Sequence, residues 1–235
     1  MSRELSDLGK YHFDGRSVLQ DILQTSVYET IPQAVASLTK FSHPATVAQT
    51  NNCNIFRVIR WSNTGEVDDN GNAIKRGGYV AYGENGRVML DDNESPTSAF
   101  VWASGSVLKG YKDVQFNHIW AGAKDVTLYT SLANICVAPA FLAKLTDTDK
   151  EVCASLQYRA YELYCGFRPR DKPVPAKPKG YNDLAWAPPL PEVDDLEACL
   201  RRAVQTKPKN RAVCSIQELG WYFSDFKPEP TVKIE

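Results

Sequence analysis

The spacing of apolar positions changes period along this chain, and each change predicts an element. Behind Asp14, the residues Val18, Leu19, Ile22 and Leu23 recur at helical intervals, so Asp14 is read as the cap of an amphipathic helix. Pro32 suits the first turn of a second helix that carries Val35, Ala36, Leu38 and Phe41. From Asn54 to Asp91 the period becomes strand-like. In IFRVIRW the apolar residues Ile55, Phe56 or Val58, Ile59 and Trp61 compete for the core, with Arg57 and Arg60 interleaved. An Asn-Gly turn signal at 70–71 and a second at 85–86 predict that GGYVAY and RVML fold back on that strand. The expectation is a small antiparallel sheet, a three-stranded meander, with Arg57, Arg60, Lys75 and Arg76 on or near it.

Residues 95–103 form a short helix with Pro96 in its first turn. The run FNHIWAGAKDVTLYTSLANICVAP, from Phe116 to Pro139, reads as strand, loop and strand. Thr148 and Glu151 have capping-box spacing, and Val152, Leu156, Ala160 and Leu163 continue a helix closed by Gly166. Between Arg168 and Pro191 stand seven prolines. Proline lacks an N–H and fixes φ, so this basic segment is an extended arm and no part of a helix interior or sheet. A helix over 193–204 and an aromatic tail over 221–226 complete the chain. The fold class is therefore α+β, a meander flanked by helices. Residues 1–167 form the main domain, 168–191 the connection, and 192–235 a C-terminal helix and tail that pack on it.

Composition narrows the function classes. A 235-residue chain with 43% hydrophobic and 23% charged residues can bury a sizeable core. The formal charge of −1 argues against broad coating by nucleic acid and leaves room for a local basic groove. The N-terminal MSRELSDLGKYHFDG is polar, and nowhere is there a run of roughly 20 apolar residues, so the expectation is a cytoplasmic protein with no membrane partner. The six cysteines include no CxxC pair and no zinc spacing, which reads as buried reduced thiols. GxGxxG, Walker and Gly-x-Ser-x-Gly patterns are lacking, so no nucleotide cofactor is expected.

Three histidines remain as candidate chemistry. His12 and His43 fall in polar or loop contexts, whereas His118 ends an apolar strand and Asn134 opens the next. Over about residues 114–164 this strand–loop–strand–helix order, with His118 and Asn134 in place, resembles the His-Me finger (ββα-metal) nucleases, which include the HNH endonucleases. The resemblance implies a ββα-metal-like hairpin–helix element and hydrolysis of DNA phosphodiester bonds, in a restriction, phage or mobile-element setting. His118 would be the general base, since an imidazole with a pKa of about 6.5 accepts a proton at neutral pH. One divalent ion, Mg²⁺ or Mn²⁺, would stabilise the phosphate and the leaving oxygen. Asn134 would orient His118 or bind the ion, and Asn117 stands where many members have an aspartate ligand. The family's last histidine has no counterpart here. Asp147 is the replacement ligand, and Asp91 and Asp92 are a second source of carboxylates. Arg57, Arg60, Arg76, Arg168 and Arg170 would contact the phosphates of duplex DNA, and a homodimer is compatible with this reading. Two alternatives stand beside it. One is an ordinary hairpin in which His118 bonds a backbone carbonyl and Asn134 caps the loop. The other is a non-catalytic module that binds nucleic acid or protein.

Overall fold

The structure is a computed structural model that describes residues 14–61, 67, 71–83, 86–105, 111–206 and 210–224. Helix α1 (Gly15–Gln24) begins where Asp14 accepts from the Arg16 amide. Helix α2 (Ile31–Leu38) carries Pro32 in its first turn and a capping box between Thr30 and Gln33. The chain then passes through β1 (Lys40–Phe41) into α3 (Pro44–Ala48), which His43 caps through its Nδ1. His12 lies outside the described residues.

The strand-like region forms β2 (Val58–Arg60), β3 (Tyr79–Ala81) and β4 (Arg87–Asp91). They make one sheet, but its order is β2-β4-β3 and β2 runs parallel to β4, so the meander is corrected. Burial explains the order. Val88, Met89, Leu90 and Asp91 of β4 are all buried, which requires cover from both sides, whereas β3 buries only Val80. The most apolar strand takes the centre, and β2 reaches it across sequence instead of turning directly into β3.

Helix α4 (Glu94–Ala103) leads to a second three-stranded sheet of order β1-β6-β5, built with β5 (Val114–His118) and β6 (Ile135–Pro139). This one is antiparallel throughout, and its β5–β6 register runs from Val114 opposite Pro139 to His118 opposite Ile135. Short helices α5 (Ala140–Ala143) and α6 (Leu145–Thr148) follow, then α7 (Lys150–Leu163). The cap of α7 is Asp149, not Thr148: its carboxylate accepts from the amides of Glu151 and Val152 at 3.0 and 3.1 Å. Thr148 is still helical as the end of α6, and its hydroxyl donates back to the Lys144 carbonyl, so the first extended residue is Asp149.

The proline-rich arm is extended except for a 3₁₀ turn at Tyr181–Asp183, and it lies against the main body. Ala187 and Leu190 donate their amides to the carbonyls of Ala36 and Phe41, and Trp186 packs edge-on to Phe41. Helix α8 (Leu196–Thr206) starts after Asp195, whose carboxylate accepts from the Ala198 amide. A further helix, α9 (Arg211–Leu219), fills the span before the aromatic tail and is capped by Asn210. Trp221 then closes the core, bridging Phe56. The architecture is α+β, with two small three-stranded sheets and helices packed around them. One apolar cluster runs from Leu23 through Phe41, Phe100 and Ile135 to Trp221, and a smaller one lies under Ile59, Val88, Leu90 and Val126. All six cysteines are free thiols. Cys136 is buried and its thiol is pushed up to about 12, while Cys165 is exposed, so the expectation of burial holds only in part. No described helix is long and apolar enough to cross a membrane.

Candidate functional site

Strand β5 ends at His118, and the loop over 119–131 returns the chain to β6 through a 3₁₀ turn at Leu132–Asn134. Two side chains hold this loop. Asn134, fully buried, accepts from the Trp120 amide at 2.8 Å and donates to the carbonyls of Trp120 and Leu128 at 3.2 and 3.1 Å. Gly122 permits the tight fold beneath Leu128, since a Cβ there would lie 2.7 Å from Leu128 Cδ1. His118, half-buried, places Nε2 2.9 Å from the Tyr129 carbonyl oxygen and stacks its ring on the Tyr129 ring at 5.4 Å between centroids.

A carbonyl only accepts, so Nε2 carries the proton and Nδ1 of the neutral ring keeps its lone pair. Among the described residues nothing hydrogen-bonds to Nδ1. The His118 pKa is lowered from 6.5: burial disfavours the charged ring, the Arg60 charge adds to this, and the Tyr129 carbonyl and the Asp147 charge oppose it. The ring is therefore neutral at pH 7.

The sequence candidates separate into groups. Arg60 is exposed at the end of β2, gives its amide to the Ala123 carbonyl of the same loop, and acts by charge on His118 and Tyr129. Asp147, exposed on α6, is felt at His118 as a charge. Asn117 is buried on the opposite face of β5, with its amide nitrogen on the Gln115 carbonyl at 3.0 Å. Arg57 lies over the Tyr222 ring at 5.3 Å, and Arg76 is paired with Asp92. Arg168 and Arg170 belong to the arm, where Arg168 donates to the Lys172 carbonyl at 2.8 Å and Arg170 is exposed.

The carboxylates of Asp91, Asp92 and Glu94 offer oxygens within 4.8 Å of one another, a donor set that suits a hard divalent ion. Arg211 of α9 already sits among them. Its Nε is 2.5 Å from Asp91, and its Nη2 is 3.3 Å from Asp92 and 2.5 Å from Glu94. Asn210 donates to Glu94, Ser95 to Asp91, and Arg76 to Asp92. The triad thus has its cation from the chain itself. Nothing in the local sequence marks Arg211 as a partner of residues about 120 positions earlier. Tyr129 is the other residue sequence reasoning missed: besides meeting His118, it donates its hydroxyl to the Asp92 carbonyl at 2.5 Å. Compared with protein-family models, with curated proteins and with solved structures, the chain matches none.

Proposed function

We propose that the protein is a metal-dependent nuclease of HNH-like type that hydrolyses phosphodiester bonds of DNA, with β5, β6 and the helices after them as its ββα element. The observation that carries this reading is the state of His118: a neutral ring of fixed tautomer, with Nδ1 uncommitted and Arg60 close enough to act on it. Nδ1 takes the proton of a water molecule as the hydroxide attacks phosphorus and the P–O bond to the leaving oxygen breaks, that oxygen taking up a proton from solvent. The imidazolium formed keeps its Nε2–H on the Tyr129 carbonyl, and Arg60 holds a phosphate oxygen. Asp147 is the carboxylate whose chemistry fits a hard ion here, because it is exposed and no described cation pairs with it; Asn117, buried on the opposite face of β5, is not placed to share an ion with His118. A bound Mg²⁺ or Mn²⁺ supplies neutralisation of charge on the phosphate and leaving oxygen. Asn134 serves as the loop's staple, since its amide is committed to three backbone bonds.

Supercoiled plasmid incubated with the protein and Mg²⁺ or Mn²⁺ should be nicked, and His118→Ala should slow nicking about 100-fold or more, the range of a lost general base. Equal cleavage by both proteins would remove the assignment.

A second reading, a non-catalytic module that binds nucleic acid or protein, is favoured by the same Asn134 bonds and by the Arg211 pairing of the acidic triad. An ordinary hairpin also places His118 on a carbonyl and Asn134 in the loop. EDTA separates the two readings: on the module reading it changes neither binding to DNA nor thermal stability.

A further inference from the structure

We propose that Tyr129 is the positioning residue for His118, and that the Asp91–Asp92–Glu94–Arg211 cluster is the anchor that holds Tyr129 in place. The inference deepens the nuclease reading, but its structural half can be tested without it. Three contacts of one residue converge. The Tyr129 carbonyl accepts from His118 Nε2 at 2.9 Å, the Tyr129 ring stacks on the imidazole with an interplanar angle of 19°, and its hydroxyl donates to the Asp92 carbonyl at 2.5 Å. Asp92 is itself fixed by Arg76 and Arg211, and its neighbours Asp91 and Glu94 bond the same Arg211. The tyrosine is completely buried and its phenol is raised well above its ordinary value, by burial first and then by the Asp91 charge, so it stays a neutral donor. A stacked ring tied at its far end to a rigid corner leaves the imidazole one plane, and the carbonyl leaves it one tautomer. The Nδ1 lone pair is thereby aimed in a fixed direction. The charges that face this ring pair are Arg60 from β2, Asp147 from α6, and Asp91 and Asp92 at the end of β4.

Two variants test the assignment. Tyr129→Phe keeps the stack and the carbonyl and removes only the hydroxyl tether; Tyr129→Leu removes the stack as well. Ring ¹⁵N shifts at pH 7.5 should report the Nε2–H tautomer of His118 in the wild type. In Tyr129→Phe the Nε2 proton should exchange with solvent about tenfold faster, the factor expected for one lost hydrogen bond of ordinary strength. In Tyr129→Leu, which also keeps the carbonyl, the Nε2–H tautomer should persist while its proton exchanges faster still, because the ring has lost the stack that fixes its plane. The backbone amides of Val137 and Ala138 in β6 should keep wild-type protection in Tyr129→Phe, which a merely structural weakening would not allow. An Nδ1–H tautomer in the wild type, or unchanged Nε2–H exchange in Tyr129→Phe, overturns the proposal. Because the NMR result requires no substrate, a protein without nuclease activity that shows the expected exchange upholds the positioning role and refutes the nuclease reading alone. Where nicking is seen, both variants should lower kcat and leave KM within about twofold, as expected for a group that acts on the base and not on the substrate.

Discussion

Asn134 shows how one polar side chain can determine a loop. Its amide is fully buried and satisfies three backbone groups, at Trp120 and Leu128, that have to turn away from the β5–β6 ladder. Replacing it with alanine leaves a buried N–H and two carbonyls without that partner. Each unsatisfied buried group costs about 1–3 kcal/mol. Asn134→Ala should therefore destabilise the protein by about 3 kcal/mol or more in a urea melt, and Asn134→Asp no less, since it loses both N–H donors and buries a carboxylate. A change below about 1 kcal/mol would mean that the loop holds itself through the His118–Tyr129 bond and packing alone. The sequence reads Asn134 as opening the second strand, one residue from its place at the end of the 3₁₀ turn before β6, but the choice between ligand and staple depends on which backbone groups the loop turns inward. That is a property of the folded loop and of no residue type within it.

At the scale of elements, signals carried within a few residues were legible and pairings across the chain were not. Asp14 and Pro32 mark helix starts because a cap acts within the first turn, and both helices begin where these residues put them, although α2 stops at Leu38 and Phe41, read as its last apolar position, lies in β1. The parallel pairing of β2 with β4 has no local signature, because the turn residues after Arg60 and after Ala81 fit a meander equally well. The same holds for α9, whose position is set by Arg211 reaching the β4–α4 corner. Asp91 there is fully buried, and Arg211 is its only described cation. Removing one partner of such a pair leaves an uncompensated buried charge, worth about 3–5 kcal/mol when burial is complete and less here because Arg211 is part-exposed. Arg211→Met, which keeps the length and the apolar stem, should lower stability by about 2–3 kcal/mol in chemical denaturation. An unchanged midpoint would show that α9 is held by Ala212, Val213 and Ile216 alone, the residues it buries against the core.

Across the whole molecule, the ion pairs that join distant segments give stability a defined pH dependence. Asp149, which caps α7, also pairs with Arg16 of α1, and Asp92 pairs with Arg76 and Arg211. Burial alone would raise both carboxylates. It is outweighed at Asp149 by the Arg16 bond and the helix amides, and at Asp92 by the Glu94 amide and the two arginines, so both lie below 3.8. Carboxylates depressed in the folded state contribute stability that is complete above 3.8 and is lost as pH falls through their folded values. His118 acts earlier. Its folded pKa lies below 6.5, so the unfolded chain takes up this proton first and stability starts to fall as pH drops under 6.5. The two losses separate on the pH axis, and each can be removed by its own variant. A series of urea midpoints from pH 8 to pH 3 should be level down to about 7, decline gently below 6.5, and steepen below 3.8. His118→Gln should flatten the first decline and leave the second. Arg16→Gln should shrink the second, because Asp149 then loses the charge that holds it down while keeping its bonds to the α7 amides. Midpoints that stay level from pH 7 to pH 3 would show that these pairs are as well satisfied in the unfolded chain as in the fold, and that the two sheets are held together by their apolar contacts.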